Sequence, residues 1–418
     1  MFHKRWFLFF LLMIALPIFT VPAQAQGAPL VAFTNSSGQL IVAGADGVTR
    51  WIVTNPGETL DSTLGYRWSP DGTRLFYAVD LGNVVSLRVG DAATMTVTEL
   101  GQANGVVTGG EWAPDGTLLF GTDIALNGAR TVAGQVASPY SETSTSLAPD
   151  GSAVLYLQGG LYVLQTAAGT AQTLGPSSNN GLHAMWSDIA PIVAFGGQTD
   201  SGQANLIAIN AANNNAFVLV GSTLPMEPIS WVPDSTGLIY RDAGGTIRYA
   251  DVGCLQSSCS QNMLEAGTAI LPPSAQDVHV TTNAVVYRDG EQVLGVPLGC
   301  VQNNDCSART VVMGTQAVQR TGLFSDGQRI LYTAYTSDAT NPADREIRAI
   351  DASCITTNYC QPVSLLNGAI AGRVSGDGLA MVADIVGSGM HIVNLSNLST
   401  LYLTDNTGYA LQSARWNS

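Results

Sequence analysis

Past residue 27 the sequence alternates short apolar runs with clusters of Gly, Asp, Asn, Ser and Pro, and no segment keeps a helical period. Runs such as Leu75-Phe76-Tyr77 and Leu206-Ile207-Ala208-Ile209 are apolar enough for strands buried on both faces. One stretch, Trp68 through Tyr77, reads W-S-P-D-G-T-R-L-F-Y and sets the pattern. In Pro70-Asp71-Gly72 the proline presets φ, the aspartate caps its own backbone and the glycine supplies a left-handed residue. The stretch therefore predicts strand, tight turn, strand. Trp68 closes the first strand and offers a large ring to pack between layers.

The same register returns at Trp112, Leu147, Trp186, Trp231, Val278, Phe324, Val374 and Trp416, at intervals of 35 to 50 residues. A four-stranded propeller blade takes roughly 40 to 50 residues, which fits. Two further strands follow each hairpin, for example Val84-Val85-Ser86-Leu87-Arg88 and then Met95-Thr96-Val97-Thr98-Glu99-Leu100. With the strands lettered a to d, the marker residue ends strand a, the P-D-G turn joins a to b, and a second turn joins c to d. Residues 30–54 supply strands b, c and d but no strand a, whereas residues 409–416 supply a strand a and stop. Pairing the last strand into the first blade closes a ring and removes two exposed sheet edges. The expected fold is all-β: a single β-propeller over residues 28–418, built of four-stranded blades, eight or nine in number with seven as the fallback. The units from Trp112, which is short, and from Val278, which lacks P-D-G, are the expected irregular ones.

Composition agrees with strands and turns rather than long surface helices, since glycine numbers 45 and charged residues make up 11%. Ahead of the repeats, His3, Lys4 and Arg5 precede an apolar run over residues 6–21 and then Ala23-Gln24-Ala25. A charged start, an apolar middle and an A-x-A site predict a secretory signal peptide over residues 1–25, cut after Ala25. The alternative, a retained anchor, wants about 20 apolar residues, more than this run provides. The formal charge is -14, and Lys4 in the leader is the only lysine. That balance argues against nucleic acid and against an anionic membrane surface as partners, and the exported chain is expected to be a monomer. The six cysteines form three local pairs, Cys254/Cys259, Cys300/Cys306 and Cys354/Cys360, each at a c–d turn. In an exported chain such pairs predict disulfides, and neither their spacing nor any nearby histidine suits zinc.

W-S-P-D-G-T-R-L-F-Y, together with c–d hairpins such as I-R-A-I-D and L-I-A-I-N, resembles the WD40-like PD40 repeat. That repeat builds TolB-type propellers and the N-terminal propellers of the dipeptidyl peptidase IV and prolyl oligopeptidase families. The resemblance covers essentially all of the chain after the leader and implies the propeller fold. It implies no one chemistry, because unrelated activities share propellers. TolB carries an α/β domain ahead of its propeller and the peptidases carry an α/β-hydrolase domain. Here the leader alone precedes the first blade, and the chain ends within a repeat. P-D-G-T also faintly resembles the Asp-box of sialidases, but that motif joins the outer strands and is followed by a tryptophan, which fails here.

Candidate chemistry is sparse. There is no G-x-S-x-G, H-E-x-x-H or P-loop. His183 and His279 fall at or near strand a, which lines a propeller's channel, and His391 falls on a c strand. All three read as hydrogen-bonded interior histidines, with no second ligand close in sequence to suggest a metal or a base. Asp80, Asp123, Asp242, Asp289 and Asp384 each follow a b strand, at the face opposite the P-D-G turns. Converging there, they would bind Ca²⁺ or a cationic ligand. Aspartate is equally a good turn former, and the adjacent Arg241 and Arg288 are placed to neutralise two of them. The leading expectation is an exported, non-enzymatic propeller without a cofactor that binds a protein, peptide or glycan on one flat face. A second is a carbohydrate-active enzyme, a glycosidase or lyase, with acidic residues at the channel mouth. A third is a structural envelope component whose disulfide-stapled face packs against neighbours.

Overall fold

The computed structural model describes residues 28–61, 64–103, 107–112, 118–122, 136–138, 145–148, 152–158, 161–166, 171–176, 184–198, 204–220, 226–257, 259, 267–303, 310–319, 321–326, 328–404 and 408–417. Within them the strands form nine sheets, called here sheets 1 to 9 in chain order. Seven of the nine have four antiparallel strands. Sheet 2 has five, because its strand a is split into Thr59–Leu60 and Tyr66–Trp68, both paired with Arg74–Asp80. Sheet 3, the short unit at Trp112, has three, and its outer strand Val136–Ser138 runs parallel to Leu118–Thr122. The unit at Val278 is a regular four-stranded sheet despite lacking P-D-G. Its strand a is Gln276–Val280, so Val280 rather than Val278 holds the last register position, opposite Val285.

Burial explains why the b strands are so continuously apolar. In Arg74–Asp80, Leu75, Tyr77 and Val79 pack against Ala32, Leu40 and Val42 of sheet 1. Phe76 and Ala78, pointing the other way, pack toward Trp112 and Leu118 of sheet 3. The two-residue period of a strand thus splits one apolar run between two seams. Equivalent seams join sheets 4 to 5, 5 to 6, 6 to 7, 7 to 8 and 8 to 9. Another joins sheet 9 to sheet 1 through Val382, Met390, Val31 and Phe33.

The first strands of the sheets lie against one another in sequence order around the inside, and Arg415–Trp416 sits between those of sheets 9 and 2. This last strand pairs with Leu30–Thr34, placing Trp416 opposite Val31 and Arg415 opposite Ala32. The marker tryptophans do more than fill space. Trp112 Nε1 donates to the Arg67 carbonyl at 3.1 Å, and Trp231 Nε1 to the Met185 carbonyl at 3.0 Å. Trp68 Nε1 donates to the Arg415 carbonyl at 3.0 Å, and Trp416 Nε1 to the Arg373 carbonyl at 2.9 Å. Each acceptor immediately precedes the marker of the neighbouring sheet, so one hydrogen bond, repeated, clasps strand a to strand a. Giving each of these indole N–H groups an acceptor in this way is what lets so large a ring sit in the seam.

The tail departs from expectation. Residues 408–413 are not strand but a helix, Gly408–Ser413, and the strand is confined to Arg415–Trp416. Packing overrides the strand pattern there: Ala410 and Ala414 are fully buried in the seam between sheets 9 and 1. The P-D-G turn behaves as its chemistry requires. Asp71 Oδ1 accepts from Ser69 Oγ at 2.5 Å and from Thr73 N at 3.1 Å, and Gly72 takes φ +67°. A side chain at Gly72 would also stand 2.7 Å from the Asn417 carbonyl, so glycine serves both the turn and the close approach of the C-terminal strand.

The disulfides Cys254–Cys259 and Cys354–Cys360 are formed. Cys300 is disulfide-bonded as well, and its expected partner Cys306 lies outside the described residues. These c–d connections are helical turns: Gly253–Gln256, Leu298–Gln302 and Ala352–Thr356. They drive apolar side chains, Leu255, Leu298 with Val301, and Ile355, into the seams with the preceding sheets. Closing so short a loop stabilises by about 2 kcal/mol in the chain-entropy account. The double variant C354A/C360A is therefore expected to lose about 2 kcal/mol in urea unfolding. An unchanged midpoint would mean that Ile355 packing alone holds the loop.

Candidate functional site

The five aspartates picked out as a rim meet different fates. Asp80 ends strand Arg74–Asp80 and accepts from Gly82 N at 2.7 Å, an ordinary turn bond. Asp242 follows Gly237–Arg241 and accepts from Gly244 N and Thr246 N, both at 2.9 Å. Asp289 ends Ala284–Asp289, and Asp384 sits within Ala380–Ile385. Asp123 lies outside the described residues. Among the described residues no group of three His, Cys, Asp or Glu side chains is placed to hold a metal ion.

The neighbouring arginines do not serve as expected. Arg241 donates to the carbonyls of Gly245 and Ala275, and it is Arg248, on strand c, that pairs with Asp242 at 2.5 Å. Arg288 pairs with Asp277 at 2.8 Å rather than with Asp289. Adjacent residues of a strand point to opposite faces, so sequence neighbours are poor ion-pair partners.

Burial opposes ionisation of Asp242, but the Arg248 guanidinium and the turn N–H groups hold its carboxyl below the usual range. Asp71 shifts down against its own burial through Ser69 and Thr73, and Asp234 shifts down through Thr236. A carboxyl lowered in the folded state stabilises above its unfolded value, about 3.9, and that contribution is lost as pH falls through the folded value. The melting temperature is expected to hold down to about pH 5 and to drop below about pH 4. A flat profile through that lower range would show the turn bonds to be energetically idle.

His391 is buried on strand c of sheet 9, with Nδ1 2.9 Å from the Gly389 carbonyl and its ring edge-on to Tyr402. It is a packed interior residue. His183 lies outside the described residues. His279, on strand a of sheet 7, lines a cavity, and burial keeps its imidazole below the ordinary value despite a hydrogen bond to the Leu323 main chain.

What sequence reasoning missed is a set of arginines on the inner wall. Arg67, Arg373 and Arg415 each occupy the residue just before the marker, in sheets 2, 9 and 1. These are the residues whose carbonyls the tryptophans of the next sheets grip, which fixes their backbones in register. A cavity of about 660 Å³ has Arg67, Arg415, Tyr66, Trp68 and Trp416 in its wall. A second, about 380 Å³, has Arg373, Arg415, His279, Phe324 and Trp416. Among the described residues neither lining contains an aspartate or glutamate. Arg415 Nη1 donates to the carbonyls of Gln412, Ser413 and Ala414 at 2.9, 3.2 and 2.8 Å. Arg373 makes no side-chain hydrogen bond or ion pair among the described residues. Burial, and then the nearby charge of Arg415, push its guanidinium below the ordinary arginine value. The signal was present in the sequence as Y-R-W, G-R-V and A-R-W, but the three copies lie far apart in the chain.

No family model matches the chain, and no curated protein matches its sequence. Among solved structures it is similar to a eukaryotic initiation factor, with a TM-score of 0.56 and 12% identity over 94% of this chain and 99% of that one. It is also similar to the dihydro-heme d1 dehydrogenase NirN in complex with DHE, with a TM-score of 0.51 and 14% identity over 95% of this chain and 79% of that one. At such identities the likeness is one of fold, and the fold of this protein is a WD40-like β-propeller.

Proposed function

We propose that the protein is an exported, non-enzymatic propeller, closed into one ring, that serves as a binding module for a protein, peptide or glycan and carries no resident cofactor. The observation that carries this reading is the inner wall where the last and first sheets meet. Two cavities there are lined by arginine and aromatic side chains and, among the described residues, by no acid. A glycosidase needs two carboxyl groups about 5 Å, or about 6.5–9.5 Å, apart. The acids that turn geometry does place, Asp80 and Asp242, are engaged by backbone N–H groups. Arginine and aromatic side chains are the groups that dominate recognition surfaces. Export is supported by the leader pattern and by the disulfides Cys254–Cys259 and Cys354–Cys360. No helix among the described residues is long and apolar enough to cross a membrane.

The test is made on protein collected outside the cytoplasm. N-terminal sequencing is expected to begin at Gln26, and a retained leader would overturn export. On peptide and glycan arrays the protein is expected to be retained without releasing reducing ends or unsaturated products. Product release would establish the glycosidase or lyase alternative instead.

A further inference from the structure

We infer that the cavity between Arg373 and Arg415 binds a small organic carboxylate whose apolar body rests on Phe324 and Trp416; this deepens the binding-module reading and rests on it. The chain has 31 acidic and 17 Lys or Arg residues, yet two of its cations share one cavity with no acid among its described lining residues. Arg373 is exposed and Arg415 half-buried, so their mutual repulsion is partly screened by solvent, and the arrangement persists because both backbones are held elsewhere. Trp416 grips the Arg373 carbonyl and Trp68 grips the Arg415 carbonyl. Arg415 is further anchored through Nη1 to three carbonyls, while its Nε and Nη2 make no bond among the described residues.

Two planar forks, that of Arg415 anchored through Nη1, suit a flat oxyanion, which they can take in paired N–H···O contacts. The volume, about 380 Å³, is that of a small-molecule site and too small for a folded partner. The rest of the wall narrows the choice. Phe324, Val374 and Trp416 give it an apolar side that a bare inorganic anion leaves uncovered, whereas a carboxylate on an aromatic or aliphatic body covers it. His279 adds a polar ring to the wall.

Calorimetric titration of the full secreted protein with benzoate, sodium sulfate and benzyl alcohol tests this. Benzoate is expected to bind and to raise the melting temperature, sulfate to bind about tenfold more weakly, and benzyl alcohol to give no signal. R373Q is expected to weaken benzoate by about tenfold or more, the loss of one charged hydrogen-bonding partner. Its unliganded melting temperature should equal or exceed that of the wild type, because the change removes a like-charge contact and leaves the Arg373 carbonyl in place. Sulfate binding as tightly as benzoate, or benzoate binding equally well to R373Q, would overturn the assignment. R373K keeps the charge but not the fork and serves where R373Q fails to fold; it too is expected to lose affinity. If R373Q still binds its peptide or glycan on the arrays while wild type ignores benzoate, the carboxylate site falls and the binding module stands.

Discussion

Removing residues 411–418 is expected to destabilise the protein by on the order of 5 kcal/mol, far more than trimming a surface tail. The segment carries the strand paired with Leu30–Thr34, and Trp68 loses its indole acceptor when Arg415 goes. Asn417 is a three-way brace. Its N–H donates to the Leu30 carbonyl, its Oδ1 accepts from Leu30 N and its Nδ2 donates to the Gly72 carbonyl. Tyr66 also loses the Ser413 carbonyl as its hydroxyl acceptor. Ala414, fully buried, and Leu411, packed on Gly372, leave a hole in the seam between sheets 9 and 1. Two sheet edges would then face water, which adds aggregation to the loss of stability. W416A removes only the clasp onto Arg373 and half-buried ring area, and about 2 kcal/mol is expected for it. Urea unfolding of the three proteins side by side checks the order. A truncated chain that melts with the wild type would show that the fold does not depend on its last strand.

The second large effect is expected at Arg348, where R348M should cost about 3–5 kcal/mol. Glu346 is 6% exposed, and its carboxylate accepts from Arg348 Nε at 2.6 Å and from Ser364 Oγ at 2.5 Å. Arg348 also reaches the Thr315 carbonyl at 3.3 Å and Gln316 Oε1 at 3.1 Å, which follow the outer strand of sheet 7. Taking away the guanidinium leaves a buried charge with one hydroxyl partner and cuts a link between two sheets. The double variant E346L/R348M should regain most of the loss, because it removes the stranded charge as well. No recovery would mean that packing or the link to sheet 7 dominates. The same device recurs where Arg88 meets Glu58 at 2.9 Å and Arg248 meets Asp242 at 2.5 Å. In each case the arginine lies opposite a buried tyrosine of strand b: Tyr77, Tyr240 or Tyr332. The acids there are more exposed than Glu346, so smaller costs are expected at those sites.

Much of the architecture was legible because it rests on local chemistry. Pro70-Asp71-Gly72 makes its turn from its own side chains and backbone, a strand needs only its own apolar run to be buried on two faces, and cysteines five or six apart can reach one another within a single loop. Where the local signal was weak, placement drifted. The unit at Val278 lacks the turn, and its last register position is Val280; the pattern over 409–416 reads as strand, but the seam around Ala410 and Ala414 makes Gly408–Ser413 a helix.

The sequence by itself determined the repeat, the four-strand unit, the turn that joins a to b and the cysteine pairing, since each depends on residues within a few positions of one another. The tertiary structure alone decided which charges meet. Asp242 pairs with Arg248 across a hairpin rather than with its neighbour Arg241, and Arg415 lies between Arg373 and Arg67 because the last strand enters the first sheet. A net charge of -14 sums over the whole chain, whereas electrostatic recognition depends on distance, and distance follows which strands lie side by side rather than the order of residues along the chain.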